Sequence, residues 1–496
     1  MTNKFGWNCG RVLLGVCLSA VIAAPASAVV WDGDTANPGD WNDAANWTTD
    51  SVPGSGVDPE AAVIGDASSF ANPATVNLAA EPTIAQIGDL RVGNGFAGNG
   101  TLNHSSGTIA PRVDKWSFVG VDGDGIDPAV GTYNLSGDAA FTLYNATTGP
   151  FNSNEGNFFL GIGGGRRTVD NGLLPNQGTL NVTDTATFVV GNLFVGNNDD
   201  NEGTLNQDNG TVVAENWVSI GRETGAIGEY NMTGGQLAVT NDGITVGEST
   251  GATGTFNISG ASQVDAPRLR VGRSLGTSVE DGGGTGFLNI MGDNADITVG
   301  FLDVGSNDGV LTNGEGTLSF SGVDSLSAIE VLTDVTLNDG SVEGFAKLEV
   351  DLSAPGSGDI ELIDIAGTLT GTFMGLAEGD VVPGTGGRTI SYMFGDGNDI
   401  GLIDPNGGGL PLLGDADGDG DVDGDDLIAV QTNFGSVTPP PGDADGDGDV
   451  DGDDLIAVQT NFGNVAPGSA TSVPEPVGLV LIGLAIAPAM LSRKRS

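Results

Sequence analysis

Short runs in which apolar and polar residues alternate recur throughout the middle of the chain. Examples are Glu229–Thr233, Gln236–Thr240 and Gly243–Val246. Strict alternation is the pattern of a β-strand with one buried face. Strands this short are unstable alone and have to stack on neighbouring copies, so the pattern predicts an array of β-repeats.

Two short phrases mark the repeat. The first, Gly-x-(aromatic or Leu)-Asn, begins at Gly100, Gly131, Gly178, Gly203, Gly228, Gly254 and Gly286, and degenerates at Gly316. The second, an apolar residue followed by Gly, falls between the copies of the first and ends at Gly93, Gly120, Gly196, Gly221, Gly247, Gly272 and Gly305. In the cleanest part, from Gly178 to Gly254, the step is 25, 25 and 26 residues.

A step of about 25 residues with two or three strands fits one coil of a parallel β-helix. Eight such coils, at about 4.8 Å each, predict a rod of roughly 40 Å. The expected fold class is therefore mostly β: a parallel β-helix (β-solenoid) rod with β caps, then a small α-helical module and a C-terminal sorting helix. A β-propeller is the main alternative, although its blades usually need about 40–45 residues.

Two residue types in the first phrase have an expected structural role. Gly at its start suits a tight corner with positive φ, and Asn at its end suits a ladder of stacked amides. Four of these residues, Asn134, Asn181, Asn231 and Asn257, also begin Asn-x-Ser/Thr sequences. Glycosylation, which would place them at the surface, is the alternative explanation, but their fixed position in the repeat favours the ladder.

The segment before the repeats is expected to cap them. The repeats occupy residues 88–328, and residues 29–87 contain Trp31, Trp41 and Trp47. Three tryptophans in one short segment favour a β cap with hydrophobic closure, and a carbohydrate-stacking platform is the alternative. This Trp…Asn-Trp…Val-Pro opening is similar to that of secreted proteins with passenger-like β-helix repeats.

The segment after the repeats is expected to form a second cap. Residues 329–404 keep a β pattern but lose the first phrase. Their last part, from Gly395 to Ile403, resembles the end of passenger-associated β-strand modules in surface proteins. Residues 405–413 are rich in glycine and are predicted to be a flexible linker.

The net charge of the chain excludes some classes of binding partner. Its 496 residues include 65 Asp and Glu against 16 Lys and Arg, a formal net charge of −49. Nucleic acid is excluded, because duplex binding needs clustered Lys and Arg. An anionic polymer or lipid would be repelled unless a cation bridges the two. The same acidity is typical of a secreted protein kept in solution by its charge.

The first residues predict export. Lys4 and Arg11 precede an apolar run from Val12 to Ala24, and small residues follow up to Ala28. This is the pattern of a secretory signal peptide, residues 1–28, cut after Ala28. The only two cysteines lie inside it, so the mature protein has no thiol and no disulfide.

The last residues carry a three-part signal, residues 473–496, after a linker at residues 464–472. It consists of a Pro-Glu-Pro motif, an apolar stretch from Val477 to Leu491 and a basic end. The motif with its preceding residue is Val473, Pro474, Glu475 and Pro476. The signal resembles the PEP-CTERM sorting signal. The resemblance implies that an exosortase-type enzyme in the membrane removes the tail and leaves the protein extracellular or attached to the cell envelope or its exopolysaccharide.

A permanent membrane anchor is the alternative for this tail. A helix of fifteen residues spans only about 22 Å, which is short for a hydrocarbon core of about 30 Å. In either case the bulk of the chain is expected outside the cytoplasm, with a transient or permanent C-terminal transmembrane helix.

Residues 414–435 and 442–463 are identical at every position, with an offset of 28. Seven aspartates in twelve residues of each copy repel one another unless a cation neutralises them. Carboxylate and carbonyl oxygens at alternate places, with Gly at the sixth place for a sharp turn, are what Ca²⁺ requires. The pattern therefore predicts two calcium loops. The expected ligands are Asp415, Asp417, Asp419, Asp421, Asp423 and Asp426 in the first loop and Asp443, Asp445, Asp447, Asp449, Asp451 and Asp454 in the second.

EF-hand loops end in Glu at the twelfth place, whereas both copies here end in Asp, at Asp426 and Asp454. This difference, the duplication and the loop-then-helix order resemble type I dockerin repeats. Residues 414–463 are therefore expected to form a dockerin-like calcium-binding module. Leu427, Val430 and Phe434 give its first helix an apolar face. The resemblance implies a cohesin-like domain as a partner and an association with polysaccharide-degrading systems.

No catalytic residue stands out. The mature chain has a single histidine, His104, which is expected to be a satisfied surface or corner residue rather than a base. Arg268, Arg270 and Arg273 form a cluster that is expected on a solvated strand face, with a basic stripe for an anionic sugar as the alternative. No pair of carboxylates is distinctive among so many acidic residues, so a glycosidase stays open.

The predicted function is that of an extracellular or envelope-attached structural and interaction protein, part of a surface or exopolysaccharide matrix, with a calcium-stabilised module. Its expected partners are the exosortase-type enzyme and a cohesin-like domain or an extracellular polysaccharide. The alternative is an enzyme, namely a secreted β-helix glycoside hydrolase or polysaccharide lyase.

Overall fold

A computed structural model of the chain describes most of residues 28–464. The described ranges are 28–32, 39–53, 61–66, 73–79, 85–122, 127–143, 156–162, 174–197, 201–274, 283–307, 314–323, 329–338, 345–352, 358–395, 397–405, 413–417, 421–436, 442–444 and 450–464. The predicted signal peptide up to residue 27 and the sorting signal with Val473, Pro474, Glu475 and Pro476 lie outside them. So do four predicted ligands, Asp419, Asp445, Asp447 and Asp449.

The described chain is mostly β, as the sequence predicts. The first strands are β1 Val29–Val30, β2 Ala62–Asp66, β3 Ala74–Leu78, β4 Ala85–Ile87, β5 Leu90–Asn94, β6 Asn99–His104, β7 Thr108–Pro111, β8 Ser117–Val121, β9 Val130–Leu135, β10 Ala140–Phe141 and β11 Asn157–Ile162. The central strands are β12 Gln177–Val195, β13 Glu202–Ile220, β14 Ile227–Val239, β15 Gly243–Val246, β16 Thr253–Ser274, β17 Thr285–Met291, β18 Asp296–Asn307, β19 Glu315–Ser321, β20 Ile329–Leu337 and β21 Phe345–Asp351. The last are β22 Ile360–Ile365, β23 Leu369–Thr370, β24 Thr389–Phe394 and β25 Asp399–Ile403, and the helices are α1 Gly424–Asn433 and α2 Gly452–Asn461.

Strands β2–β21, called here the repeat stack, pair in parallel, each copy of the repeat with the next. Gly178 of the first phrase pairs with Gly203, and Gly203 pairs with Gly228. The same register continues to Ala74 in β3 and to Ala346 in β21, so the parallel pairing extends beyond residues 88–328 on both sides. One step of about 25 residues therefore forms one layer of the stack.

Each layer consists of three straight segments separated by corners. In β13 these are residues 202–207, 211–214 and 217–220, which pair separately with β14 and β15. Alternation along each segment sends one set of side chains inward. The inward columns of the three segments contain, for example, Leu205, Val212 and Ile220, which are fully buried. Burying a side chain of this size contributes about 1.5–3 kcal/mol, so the three columns form the main core.

The predicted amide ladder is confirmed. Asn206 Nδ2 donates a hydrogen bond of 2.8 Å to Asn181 Oδ1, and Asn231 Nδ2 donates one of 3.0 Å to Asn206 Oδ1. The same side-chain bond links the neighbouring asparagines of the first phrase from Asn77 to Asn289. Each amide between the two ends of the ladder uses both its donor and its acceptor within it, which explains why Asn recurs at a fixed place.

The predicted role of the first-phrase glycine is wrong. Positive φ belongs to the second phrase, for example 72° at Gly196 and 70° at Gly221. The first-phrase glycine is required for space instead. A Cβ at Gly228 would lie 2.1 Å from Val195 O and 2.2 Å from Gly221 N. Two chain segments touch at this corner, so both phrases need Gly, but for different reasons.

The tryptophans before the stack form a closed cluster. Trp47 is fully buried and packs edge-on against Trp31 and Trp41, with ring centroids 5.0 Å apart in both pairs. Its indole Nε1 donates to Trp41 O at 2.9 Å. Since all three rings are at most 2% exposed, they act as a hydrophobic closure, and the alternative of a carbohydrate-stacking platform is wrong.

The strands after the stack change direction. β22 and β24 pair with β25 in antiparallel fashion, whereas β20 still pairs in parallel with β22 and β23. A buried Arg388 holds this region together. Its guanidinium donates to Gly358 O at 3.0 Å and lies 3.4 Å from Asp404 Oδ2.

Helices α1 and α2 contribute to a second, much smaller cluster of buried residues. It is built from valines and alanines, with Val422, Val430, Val450 and Val458 fully buried. Within the described ranges, neither helix has the length and apolar character needed to cross a bilayer.

Candidate metal centre

The first predicted calcium loop folds around Asp426. Its Oδ1 accepts backbone hydrogen bonds from Ala416 (2.7 Å) and Asp417 (3.2 Å), and its Oδ2 accepts one from Asp423 (2.6 Å). The side chain is only 1% exposed. Asp426 therefore ties both ends of the loop to the start of α1.

Local sequence explains why the helix starts here. Asp423 is the N-cap of α1, and its Oδ1 accepts from Asp425 N at 2.7 Å. Together with Asp426 it forms a capping box, which satisfies backbone donors that have no partner inside the helix. Carboxylates in the first turn also interact favourably with the helix dipole.

Carboxylates of the loop converge on Asp426 from two sides. One ligand oxygen from each of Asp415, Asp417 and Asp426 lies within 4.8 Å of the others, and the same is true of Asp421, Asp423 and Asp426. Two like charges about 4 Å apart repel by about 1 kcal/mol in water and about 4 kcal/mol near a protein surface. The five aspartates therefore form two groups that share Asp426, and both groups offer only the oxygen ligands that a hard divalent cation takes.

The second loop repeats the arrangement. Asp454, fully buried, accepts at Oδ1 from Ala444 N (2.5 Å) and at Oδ2 from Asp451 N (2.7 Å). Asp451 caps α2 through a hydrogen bond of 2.8 Å from Asp453 N. Asp443, at the first place of this loop, is partly buried.

The two copies bind each other reciprocally. Gly414 N donates to Ala444 O at 2.9 Å, and Gly442 N donates to Ala416 O at 2.8 Å. A second exchanged pair joins the valine of each loop to the end of the other helix: Gly463 N donates to Val422 O and Gly435 N donates to Val450 O, both at 2.7 Å. The described parts of the two copies are therefore held to each other by four exchanged backbone hydrogen bonds.

The predicted apolar face of α1 is partly wrong. Val430 is fully buried and Leu427 packs against the small core, but Phe434 is 60% exposed. Phe434 is the C-cap of α1, with φ −53° and ψ 126°. The chain has already left the helix there, so the i, i+7 spacing no longer points to the core. Phe462 repeats this exposure in the second copy, and Ile428 and Ile456 are also exposed.

One buried charged cluster is absent from the sequence-based predictions. Glu248 is fully buried, accepts from Ser219 Oγ at 3.0 Å, and lies 3.3 Å from Arg273 Nη1 and 3.7 Å from Arg222 Nε. Burial raises the pKa of its carboxyl to about 7, against the opposing effect of the two arginines.

This cluster had a signal in the sequence. Arg222, Glu248 and Arg273 each follow the glycine of the second phrase directly. Copies of a phrase lie on one another in the stack, so alternating charges at one place of the repeat predict stacked ion pairs. Glu248 is too deeply buried to reach a substrate.

Two other expectations are corrected by burial. His104 is fully buried rather than at the surface: Nδ1 lies 2.9 Å from Tyr133 Oη and Nε2 lies 3.1 Å from Gly107 O. Burial lowers the pKa of this histidine to about 4, so the ring is neutral and structural. Arg270 is only 6% exposed, with Nη1 3.6 Å from Asp242 Oδ1, so its strand face is not simply solvated.

No protein-family model matches the chain, and neither a curated protein nor a solved structure matches it.

Proposed function

We propose that the chain is an extracellular or envelope-attached structural and interaction protein, in which a parallel β-helix rod is followed by a dockerin-like module that Ca²⁺ stabilises. The observation that carries the proposal is the convergence of four carboxylates on a fifth, Asp426, in a loop that the chain duplicates without a single change. A surface that merely needs negative charge requires neither identical copies nor buried carboxylates.

Calcium fits the donor set better than other metals. The described residues of both loops offer only oxygen ligands, and neither copy contains His or Cys. Ca²⁺ accepts six to eight oxygens in flexible geometry, whereas Zn²⁺ prefers nitrogen and sulfur. Asp415 and Asp426 would hold the first ion from the buried side and Asp417, Asp421 and Asp423 from the outer side, with Asp443, Asp451 and Asp454 placed for a second ion.

The β-helix part of the proposal is supported by the in-register parallel pairing, the three inward columns and the amide ladder. These features suit a rigid spacer, because every layer is hydrogen-bonded in register to the layers before and after it. The exposed Ile428, Phe434, Ile456 and Phe462 are the apolar side chains that the module would offer to a protein such as a cohesin-like domain.

Export and sorting complete the proposal and define its test. The native host is fractionated, and the N-terminal and C-terminal peptides of the protein are identified by mass spectrometry in each fraction. We expect the protein outside the cytoplasm, beginning at Val29 and lacking Arg493–Arg495. A protein that stays in the cytoplasm with residues 1–28 intact would contradict the proposal. Turnover of a polysaccharide by the purified protein, lost on substitution of one carboxylate in the repeat stack, would favour the enzyme instead.

A further inference from the structure

The outward side chains of the third segment in each layer form one continuous surface, called here the third face. Phe118, Phe159 and Phe194 lie on it in register in three successive layers. Their rings stack, with centroids 5.4 Å apart and planes at 12° in the first pair, and 4.8 Å and 30° in the second. Phe159 and Phe194 are only 3% exposed, so the stacked rings form a base that other side chains cover.

Two tryptophans lie on this base along a single line. Trp116 packs on Phe159 and Trp217 packs on Phe194, each with ring centroids 5.5 Å apart. Trp116 directly precedes Ser117, and Ser117 pairs with Phe158 of the next layer. Trp217 pairs with Asn192 of the layer before it. The two indoles are therefore three layers apart, about 14 Å at 4.8 Å per layer. Trp116 is 48% exposed and Trp217 is partly exposed, so the line presents two aromatic rings to solvent along the stacking direction.

Arginine side chains are fixed against the same rings. The Arg222 guanidinium carbon lies 4.4 Å from the centre of the Phe194 ring and 5.0 Å from that of Trp217. Its Nε lies 3.7 Å from the buried Glu248. Farther along, Arg91 lies 5.6 Å from the Phe118 ring and 3.0 Å from Asp89. Planar guanidiniums held in this way offer preorganised hydrogen-bond donors beside apolar ring surfaces.

The charge of the third face distinguishes it from the rest of the chain. Of the nine Lys and Arg in the described ranges, all but Lys347 and Arg388 lie on this face or on the turn that leads to Trp116. Its five arginines lie beside four carboxylates, with Glu248 shared by Arg222 and Arg273, so the face carries polar donors whose positive charge is mostly balanced. A polyanion would gain little there and would be repelled by a chain of net charge −49. A neutral ligand with apolar faces and hydroxyl edges fits both properties.

We propose that the third face binds a neutral linear polysaccharide that lies along the stacking direction. Trp116 and Trp217 stack on sugar rings three layers apart, and Arg91 and Arg222 donate hydrogen bonds to sugar hydroxyls. This inference rests on the interaction role in the proposed function and names the partner class and its site. It does not depend on calcium, because the face is built from the repeat stack alone.

Affinity electrophoresis of the purified full-length protein tests the site. The gels contain hydroxyethyl cellulose, xylan, galactomannan or soluble starch, with alginate as the anionic comparison. We expect retardation by at least one neutral polymer, with affinity reduced about tenfold by Trp116→Ala and largely restored in Trp116→Phe. Phe434→Ala, which removes an equally exposed aromatic ring from the duplicated module, is the matched control and should not change the retardation.

Tryptophan emission gives a second measurement. Trp31, Trp41 and Trp47 are buried, so in a Trp7→Phe background a shift caused by the polysaccharide reports Trp116 and Trp217. Binding should persist in chelator, which separates this site from the calcium-dependent module. The inference is overturned if no neutral polymer retards the protein, if only alginate does so, or if Trp116→Ala and Trp217→Ala leave the retardation unchanged.

Discussion

The repeat stack and the duplicated module are both built by repetition, yet repetition has opposite consequences in them. In the stack, each layer places a residue on its own equivalent, and most repeated residues gain from this: apolar side chains fill the inward columns, and Asn206 binds Asn181 and Asn231. In the module, the repeated residue is aspartate, and four carboxylates converge on that of Asp426.

The two regions differ in whether the side chain that recurs at one place of the repeat can bind its own copies without a ligand. Amides are donor and acceptor at once, so identical amides pair indefinitely. Carboxylates only accept, so identical carboxylates need a cation between them. The stack follows this rule where it carries charge: Arg222, Glu248 and Arg273 alternate in sign at one place of the repeat. The module does not alternate, which is the physical reason to expect an ion there.

The largest effect is expected from a core change in the stack. Phe188 is fully buried, with ring centroids 4.9 Å from Phe141 and 4.8 Å from Phe158. Phe188→Ala should lower the free energy of unfolding by about 3–5 kcal/mol, measured by guanidinium denaturation. Calcium affinity should stay unchanged, because the module has a core of its own. A loss of calcium binding in this variant would show that the two regions are not independent.

The next effect concerns the buried Glu248. Its pKa is raised to about 7 in the folded protein from 4.5, so the folded state holds the proton more tightly than the unfolded state. The contribution of this carboxyl to the free energy of unfolding is therefore fully present below pH 4.5. It decreases by about 3 kcal/mol as the pH rises from 4.5 to 7. Glu248→Gln should be about as stable as the native protein at pH 4.5 and more stable at pH 8. Parallel stability curves for the two proteins across this range would contradict the assignment.

A smaller effect is expected in the amide ladder. Asn206→Ala removes one donor and one acceptor and leaves groups of Asn181 and Asn231 without their partner in the ladder. The free energy of unfolding should fall by about 1–3 kcal/mol. Thr204→Ala, at an outward position two residues earlier in the same strand, is the control. It should lower the free energy of unfolding clearly less than Asn206→Ala does. Equal losses would mean that the ladder adds no specific stability.

Much of the fold could be predicted from the sequence because repetition converts local patterns into long-range contacts. The step between Gly178, Gly203 and Gly228 gives the register directly, and the fixed Asn gives the ladder. The meaning of Gly was harder to predict, because positive φ and close chain approach both require it. The two causes can be told apart only from the structure of the corner, where Gly228 and Gly221 touch.

The clustering of Asp415, Asp417 and Asp426 could also be predicted, because the spacing within the loop alone brings these residues together. The reciprocal hydrogen bonds between the copies depend on how two helices pack, which spacing does not define. The exposure of Phe434 could not be predicted either, because it depends on the backbone leaving the helix at that residue. The two tryptophans of the third face could be placed on one line only from the register of the four layers that contain β8, β11, β12 and β13.

The most direct test of the account is a calcium titration of the purified chain, followed by calorimetry and by far-ultraviolet circular dichroism. We expect two bound ions with affinity in the micromolar to millimolar range, and a gain of helical signal on binding that chelator reverses. Asp426→Ala should remove one ion, whereas Asp425→Ala, an exposed aspartate of the same loop, should remove none. A stoichiometry of zero, or helical signal unchanged by chelator, would contradict it.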